Sequence, residues 1–271
     1  MDMASTSALQ ELSHAARAVV AAAGPATVAI GRDGRGSGTV LAEGKILTNA
    51  HNLRDRTTQV TFADGRVAQA EVVGADLDGD LAVLAVDTAG IAPLEWASDE
   101  VDQGDWVFTL AAGGPRGPRV TTGMVSGRDR AFRGPRGRRV RGSIEHTAPL
   151  ARGSSGGALL DAAGRVVGVN THRVERGFYL ALPTDADLRR RVDALAAGVT
   201  PVRHRLGIAL APGHVAARLR ASVGLAPRDG LLVRGVEDGS PAAEAGVRAG
   251  DLLVGAAAVD LRTADDLFDA L

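Results

Sequence analysis

Residues 153–157 read Gly-Ser-Ser-Gly-Gly and run directly into the apolar stretch Ala158-Leu159-Leu160. A serine between glycines, on a tight turn that feeds a strand, can present its hydroxyl. The same turn can aim two backbone N–H groups at one point. An attacking oxygen beside a ready oxyanion site is what acyl transfer requires. Ser155 can act this way only if the chain also supplies a base and a group that orients it. Of the six histidines, His51 stands apart. It follows Lys45-Ile46-Leu47-Thr48-Asn49-Ala50, a β-run ending in small residues, which places an imidazole at a strand end facing a cleft. His14, His146, His172, His204 and His214 sit in ordinary contexts. Asp80 immediately precedes Leu81-Ala82-Val83-Leu84-Ala85-Val86, so its carboxylate sits at the mouth of a buried strand and can hold an imidazole tautomer. Asp76 and Asp78 lie farther from that strand and read as solvated. The run Asp76-Leu77-Asp78-Gly79-Asp80 also looks like the start of a calcium loop. Its sixth position is Leu81 instead of Gly and its twelfth is Asp87 instead of Glu, so calcium is rejected. No metal or cofactor is expected.

Residues this far apart in sequence need a rigid scaffold to bring them together. From Thr27 to about Val199, short β-rich runs alternate with Gly, Asp and Pro clusters: Thr27–Ile30, Gly38–Leu41, Gln59–Phe62, Leu81–Val86, Trp106–Leu110, Val120–Val125, Val166–Asn170 and Tyr179–Leu182. Short strands with regular turn punctuation point to an all-β barrel or sandwich. A helix is expected over 5–23, with Ser7 and Gln10 as a capping box and Gly24-Pro25 as its stop, and another over 184–198. Thr200-Pro201 reads as a linker. Beyond it comes a mixed segment: a strand at Leu206–Leu210, a helix at 213–223, a strand at Gly230–Val236, a short helix after Ser240-Pro241, a strand at Leu252–Val254 and a last helix at 263–271.

The chain has 271 residues, 45% of them hydrophobic but only 3% aromatic, so the core must be built from Val, Leu, Ile and Ala. The net charge of −1 argues neither for nor against a nucleic-acid partner. The absence of cysteine excludes disulfides, thiolate metal sites and cysteine catalysis. No apolar run reaches the roughly 18 residues of a membrane span, and no signal peptide is visible at the N-terminus. Residues 128–141 carry Arg128, Arg130, Arg133, Arg136, Arg138, Arg139 and Arg141. They read as a solvated, mobile loop. A nucleic-acid-binding loop would have only Phe132 to stack on a base, and no nucleic-acid partner is expected.

The order His51, Asp80, Ser155 on a β-rich domain is that of the double-barrel serine proteases. The surrounding phrases resemble the HtrA/Deg family: Gly36-Ser37-Gly38-Thr39-Val40, Ile46 to His51, Asp80 to Leu84, Thr122-Gly123-Met124-Val125-Ser126, Gly153 to Leu160 and Gly168-Val169-Asn170-Thr171. The second segment resembles that family's PDZ domain through Leu206-Gly207-Ile208, Gly239 to Ala243, Ala245-Gly246-Val247 and Ala249 to Val254. The resemblance implies a mainly β fold, in which a chymotrypsin-like double β-barrel protease domain is followed by a small α+β PDZ-like domain. It divides the chain into a helical segment at 1–25, a protease domain at 26–199 and a PDZ-like domain at 202–271. It implies a serine endopeptidase of protein quality control, acting on unfolded or damaged proteins. Ser155 would be the nucleophile, His51 the base and Asp80 its orienter, with the N–H groups of Gly153 and Ser155 as the oxyanion hole. Leu150, Ala151, Arg152, Asn170, Thr171 and His172 would form the specificity pocket. That region contains no acidic residue, so small or medium aliphatic side chains would precede the cleaved bond. Leu206, Gly207 and Ile208 would capture peptide C-termini. The resemblance further implies a homotrimer and a place in the cell envelope or periplasm. The alternative is a proteolytically silent scaffold that only binds peptides.

Several positions depart from the family pattern. Ser154 stands where Asn is usual, and Ala151-Arg152 replaces Asn-Pro. Ala257-Ala258 replaces an Asn-Gly turn, and the closing strand expected after the last helix is missing from the sequence, so the PDZ-like segment reads as truncated.

Overall fold

The computed structural model describes residues 3–54, 57–113, 117–134, 139–175, 177–201 and 205–271. The chain divides into two compact units, Met1–Pro201 and Val202–Leu271.

The first unit opens with helix α1 (Met3–Ala23). Strands β1 (Thr27–Ile30), β2 (Gly36–Ala42), β3 (Lys45–Thr48), β4 (Thr57–Thr61), β5 (Val67–Asp76) and β6 (Leu81–Ala85) then close a barrel in the order β1-β2-β3-β6-β5-β4. A second closed barrel follows from β7 (Trp106–Ala111), β8 (Arg119–Arg133), β9 (Arg139–His146), β10 (Ala158–Leu160), β11 (Val166–Glu175) and β12 (Phe178–Pro183), in the order β10-β11-β12-β9-β8-β7. Helix α2 (Ala186–Ala196) ends the unit; Asp185 caps it by accepting from the Leu188 N–H.

Val19 and Ala23 of α1 share a core with Val28, Ile30, Val40 and Ile46 of the first barrel and Phe108, Leu110 and Leu160 of the second. Each Val, Leu, Ile or Phe side chain of this core fully removed from water contributes about 1.5–3 kcal/mol. α1 begins before Ser7, so Ser7 is an interior residue bonded to Glu11 and not a cap. A second cluster joins Leu47, Leu81 and Val83 to Val169, Leu180 and Leu182 across the two barrels, sealed by Leu188, Val192 and Leu195 of α2. This seam positions the site, because Asp80 adjoins Leu81 in sequence and the β3 strand carrying Leu47 leads to His51.

The described residues of the arginine-rich segment lie in two paired strands where a mobile loop was expected. β8 and β9 stay paired to Phe132↔Val140 and Arg133↔Arg139. The cause is visible in the packing. Phe132 is buried against the inter-barrel seam, Arg128 pairs with Glu100 and Asp102, and Arg130 pairs with Glu145. Phe132 is therefore not exposed for base stacking. Arg136 and Arg138 lie outside the described residues.

In the second unit, β13 (Ile208–Leu210), β14 (Leu231–Val236) and β15 (Leu252–Leu253) form a sheet in the order β13-β14-β15. Helix α3 (Gly213–Ser222) links β13 to β14, and α4 (Pro241–Glu244) follows β14. A hairpin of β16 (Gly255–Ala256) and β17 (Val259–Asp260) leads into α5 (Ala264–Ala270). One buried cluster of this unit gathers Leu231, Leu261 and Leu267, and Val233 is buried as well. The turn between β16 and β17 holds both Ala257 and Ala258 at positive φ, 46° and 64°. That left-handed conformation costs roughly 1–2 kcal/mol per residue with a side chain. Among the described residues, no helix is long and apolar enough to cross a membrane.

Candidate active site

β3 ends at Thr48, and a single 3-10 turn, Ala50–Asn52, carries His51 out of the barrel wall. Its imidazole Nδ1 lies 2.8 Å from Asp80 Oδ2 and 3.0 Å from Oδ1. The His51 backbone N–H also donates to Oδ1, at 3.0 Å. The His51 side chain is 33% exposed while that of Asp80 is 1% exposed, so the pair couples a solvent-facing base to a sheltered carboxylate. Asp80 sits at φ 56°, a left-handed conformation that an aspartate tolerates, and its carbonyl accepts from Asn49 Nδ2 at 2.9 Å. The Thr171 hydroxyl donates to Asp80 Oδ2 at 2.8 Å. The carboxylate thus accepts three hydrogen bonds and has one orientation. Asp76 instead serves the turn before β6, accepting from the N–H groups of Asp78 and Gly79 and pairing with Arg191.

Ser155 comes from the second barrel. The chain reverses at Ala151–Ser154, where the Ser154 N–H donates to the Ala151 carbonyl at 3.2 Å. Gly153 takes φ 88° at the third position and Arg152 stays out of the positive-φ region, which defines a type II turn. A Cβ on Gly153 would lie 2.4 Å from the Gly34 carbonyl oxygen, so only glycine fits. The first barrel clamps this turn. Ser37 Oγ donates to the Gly153 carbonyl at 2.7 Å, and the Ser155 carbonyl accepts from the Ser37 N–H and from Asn52 Nδ2. Among the described residues, the N–H groups of Gly153 and Ser155 donate to no internal acceptor. Ser155 Oγ donates to the Thr171 carbonyl at 3.3 Å instead of to His51. Looser contacts of this kind are usual before substrate enters a hydrolase site.

The remaining residues divide by side-chain direction. Leu150 is half-buried, and Ala151 and Arg152 are exposed. His172 is exposed with its ring stacked on Phe132, centroids 5.4 Å apart. Thr171 is turned to Asp80, and Asn170 is buried. Asn170 Nδ2 donates to the carbonyls of Gly157 and Ala158, and its Oδ1 faces His146 Nε2 at 3.1 Å. This fixes the neutral tautomer of His146 with the proton on Nε2. Its Nδ1 is buried without a partner, and the ring stacks on Tyr179. Burial holds the His146 pKa down at about 4, with the bond to Asn170 opposing the shift. Ser37, Asn49, Asn52 and His146 escaped the sequence reading. The two asparagines flanking the His51 turn, just past the apolar β3, were the signal for half of this set. Among the described residues, no three His, Asp or Glu side chains converge as a metal site would need.

Residues 36–169 match the trypsin-like peptidase domain and residues 232–271 match the PDZ domain. A Synechocystis protein bearing the serine protease name HhoB is 34% identical over 249 residues, 86% of this chain and 59% of its own. The mitochondrial serine protease HTRA2 of Drosophila pseudoobscura is 31% identical over 258 residues, 87% of this chain and 60% of its own. The solved HtrA-type protease AlgW with decapeptide superposes with a TM-score of 0.72 at 25% identity, covering 93% of this chain and 89% of that one. The chain belongs to the HtrA/Deg family. Its fold is that family's trypsin-like barrel pair plus a PDZ domain. The chain spans about three fifths of the length of the curated HtrA relatives named here.

In the second unit, Leu206, Gly207 and Ile208 are half-buried at the start of β13. The Leu206 carbonyl accepts from the Ala242 N–H and the Gly207 carbonyl from the Glu237 N–H. These bonds fix the loop through its acceptors. β13 lies at the edge of its sheet.

Proposed function

We propose that the chain is a serine endopeptidase that cleaves unfolded or damaged proteins through an acyl-enzyme. The observation that carries this reading is the His51–Asp80 pair at 2.8 Å on one barrel, set beside a serine-bearing type II turn on the other. In this mechanism Ser155 Oγ leaves the Thr171 carbonyl, passes its proton to His51 Nε2 and attacks the scissile carbonyl. Asp80 holds the proton on His51 Nδ1 and stabilises the imidazolium that forms. The free N–H groups of Gly153 and Ser155 receive the oxyanion, each donor being worth about 10²–10³ in rate. His51 then protonates the departing amine, and water, deprotonated by His51, releases the acyl group from Ser155.

Residues 26–199 would carry this chemistry, with the helix of segment 1–25 packed into the same unit. Leu150, Ala151, Arg152 and His172 would border the pocket for the residue before the scissile bond. Residues 202–271 would bind peptide C-termini at Leu206-Gly207-Ile208, the extended peptide adding beside the open edge of β13. A homotrimer belongs to the same proposal and rests on the family; sedimentation measures it.

The deciding experiment is fluorophosphonate labelling together with casein cleavage, for the wild type and Ser155→Ala. Labelling and turnover that both vanish in Ser155→Ala support the reading. A folded wild type that neither labels nor cleaves casein would refute it and leave the silent scaffold.

A further inference from the structure

A cleft of about 840 Å³ opens beside the nucleophile turn. Its charged lining is Arg32, Arg35, Arg54 and Arg152 against the single carboxylate Asp33. None of these four guanidinium groups has an ion-pair partner among the described residues, in contrast to Arg128, Arg130, Arg165 and Arg191, which are all paired. Among the described residues that line it, the cleft therefore carries a net charge of +3, with Asp33 as its one carboxylate. A concavity lined by one sign of charge focuses its field and raises the local concentration of an oppositely charged ligand.

The cleft is also shaped for one. The Gly31–Gly34 turn is closed by the Gly34 N–H donating to the Gly31 carbonyl, and the Gly31 N–H donates to Gln59. The Arg35 side chain folds back over this turn: a Cβ on Gly31 would lie 2.7 Å from Arg35 Nε and 3.2 Å from Cζ. The missing side chain at Gly31 is what leaves room for that guanidinium over the turn.

The location gives the ligand. Arg152 adjoins Gly153, and the Gly34 carbonyl abuts the Gly153 Cα. In acyl transfer at Ser155 the two halves of the substrate leave the scissile carbonyl in opposite directions. The acyl half belongs to the second barrel, beside Leu150, Ala151 and His172, with Arg152 on the border between that pocket and the cleft. With the acyl half on the second barrel, the opposite direction from the scissile carbonyl leads toward the first barrel, which apart from Arg152 lines the cleft. We infer that this cleft is a subsite for the leaving half of the substrate, and that it selects aspartate or glutamate within the first few residues after the cleaved bond. The inference rests on the proteolytic reading above.

The test uses the full chain and quenched-fluorescence peptides that share one sequence before the scissile bond. After the bond they carry Glu or Gln at each of the first three positions in turn. Exposed charge pairs contribute modestly one at a time, so the summed effect of three net charges is a roughly tenfold higher kcat/KM for the best Glu peptide over its Gln twin. That ratio should shrink several-fold in high salt, because a Debye length near 8 Å at physiological strength falls to about 3 Å at 1 M. It should also fall towards one in Arg32→Gln/Arg35→Gln and in Arg54→Gln, read as a ratio within each variant so that changes in folding or total activity cancel. Ser155-dependent cleavage of both peptides with equal kcat/KM in the wild type overturns the subsite and leaves the protease. Absence of any Ser155-dependent turnover overturns both.

Discussion

His146 offers the most quantitative prediction. Its ring is inaccessible to solvent, its Nε2 proton is committed to Asn170, and its Nδ1 has no partner. Protonation would place a charge and an unsatisfied N–H in an apolar setting, which is why its pKa lies at about 4 when the ordinary value is 6.5. The folded protein thus binds this proton more weakly than the unfolded chain. The stabilisation is complete above about pH 6.5 and is lost as the pH falls towards 4. The difference of about 2.5 units corresponds to roughly 3 kcal/mol in total, of which about 2 kcal/mol is lost between pH 7.5 and pH 5. Both tryptophans, Trp96 and Trp106, lie in the first unit, so urea unfolding followed by tryptophan fluorescence reports that unit alone. His146→Gln keeps an amide donor for Asn170 and removes the titration. The variant should be less stable than the wild type at pH 7.5 and should lose about 2 kcal/mol less on going to pH 5. Identical losses in the two proteins would refute the reasoning. Asn170 also holds the carbonyls of Gly157 and Ala158, just past Ser155, so activity of the wild type should decay irreversibly faster at pH 5 than that of the variant.

Two further outcomes are expected. Ser37→Ala removes the hydroxyl that donates to the Gly153 carbonyl and accepts from the Ala112 N–H, so kcat should fall about tenfold with KM within a factor of two. A change in KM alone would show that Ser37 does not set the oxyanion turn. Ala257→Asn/Ala258→Gly relieves two left-handed alanines and should stabilise the second unit by about 1–2 kcal/mol, seen as slower amide hydrogen exchange across residues 205–271. Unchanged exchange would show that the strain is absorbed elsewhere.

The sequence carried the two-barrel plan because most strands are short apolar runs between turn residues, as in Thr27–Ile30 and Leu81–Ala85. It hid β5 and β9. β5 reads Val-Ala-Gln-Ala-Glu-Val-Val-Gly-Ala-Asp, rich in residues with weak strand preference, and it exists because β4 and β6 pair with it on either side. β9 is arginine-rich, and only the burial of Phe132 and the cross-strand ion pairs reveal why it is ordered. For the site, Ser155, His51 and Asp80 could be picked out because each adjoins a recognisable run. The bond from Thr171 to Asp80 joins residues 91 positions apart, and the bond from Ser37 to Gly153 joins residues 116 apart. No local pattern reports contacts of that range. Ala151-Arg152 lacks the proline that would stiffen this turn from within. The turn is nevertheless fixed, because Ser37, Asn52 and Gly34 restrain it in addition to its own bond from Ser154 to Ala151.

This division of labour between the barrels bears on how the protein is made. His51 and Asp80 are synthesised before Ser155, and every clamp on the Ser155 turn that crosses the seam comes from residues 34–52. A chain with one barrel folded holds either a base without a nucleophile or a serine on an unclamped turn. On the proteolytic reading, cutting power would therefore arise only once the two barrels are docked.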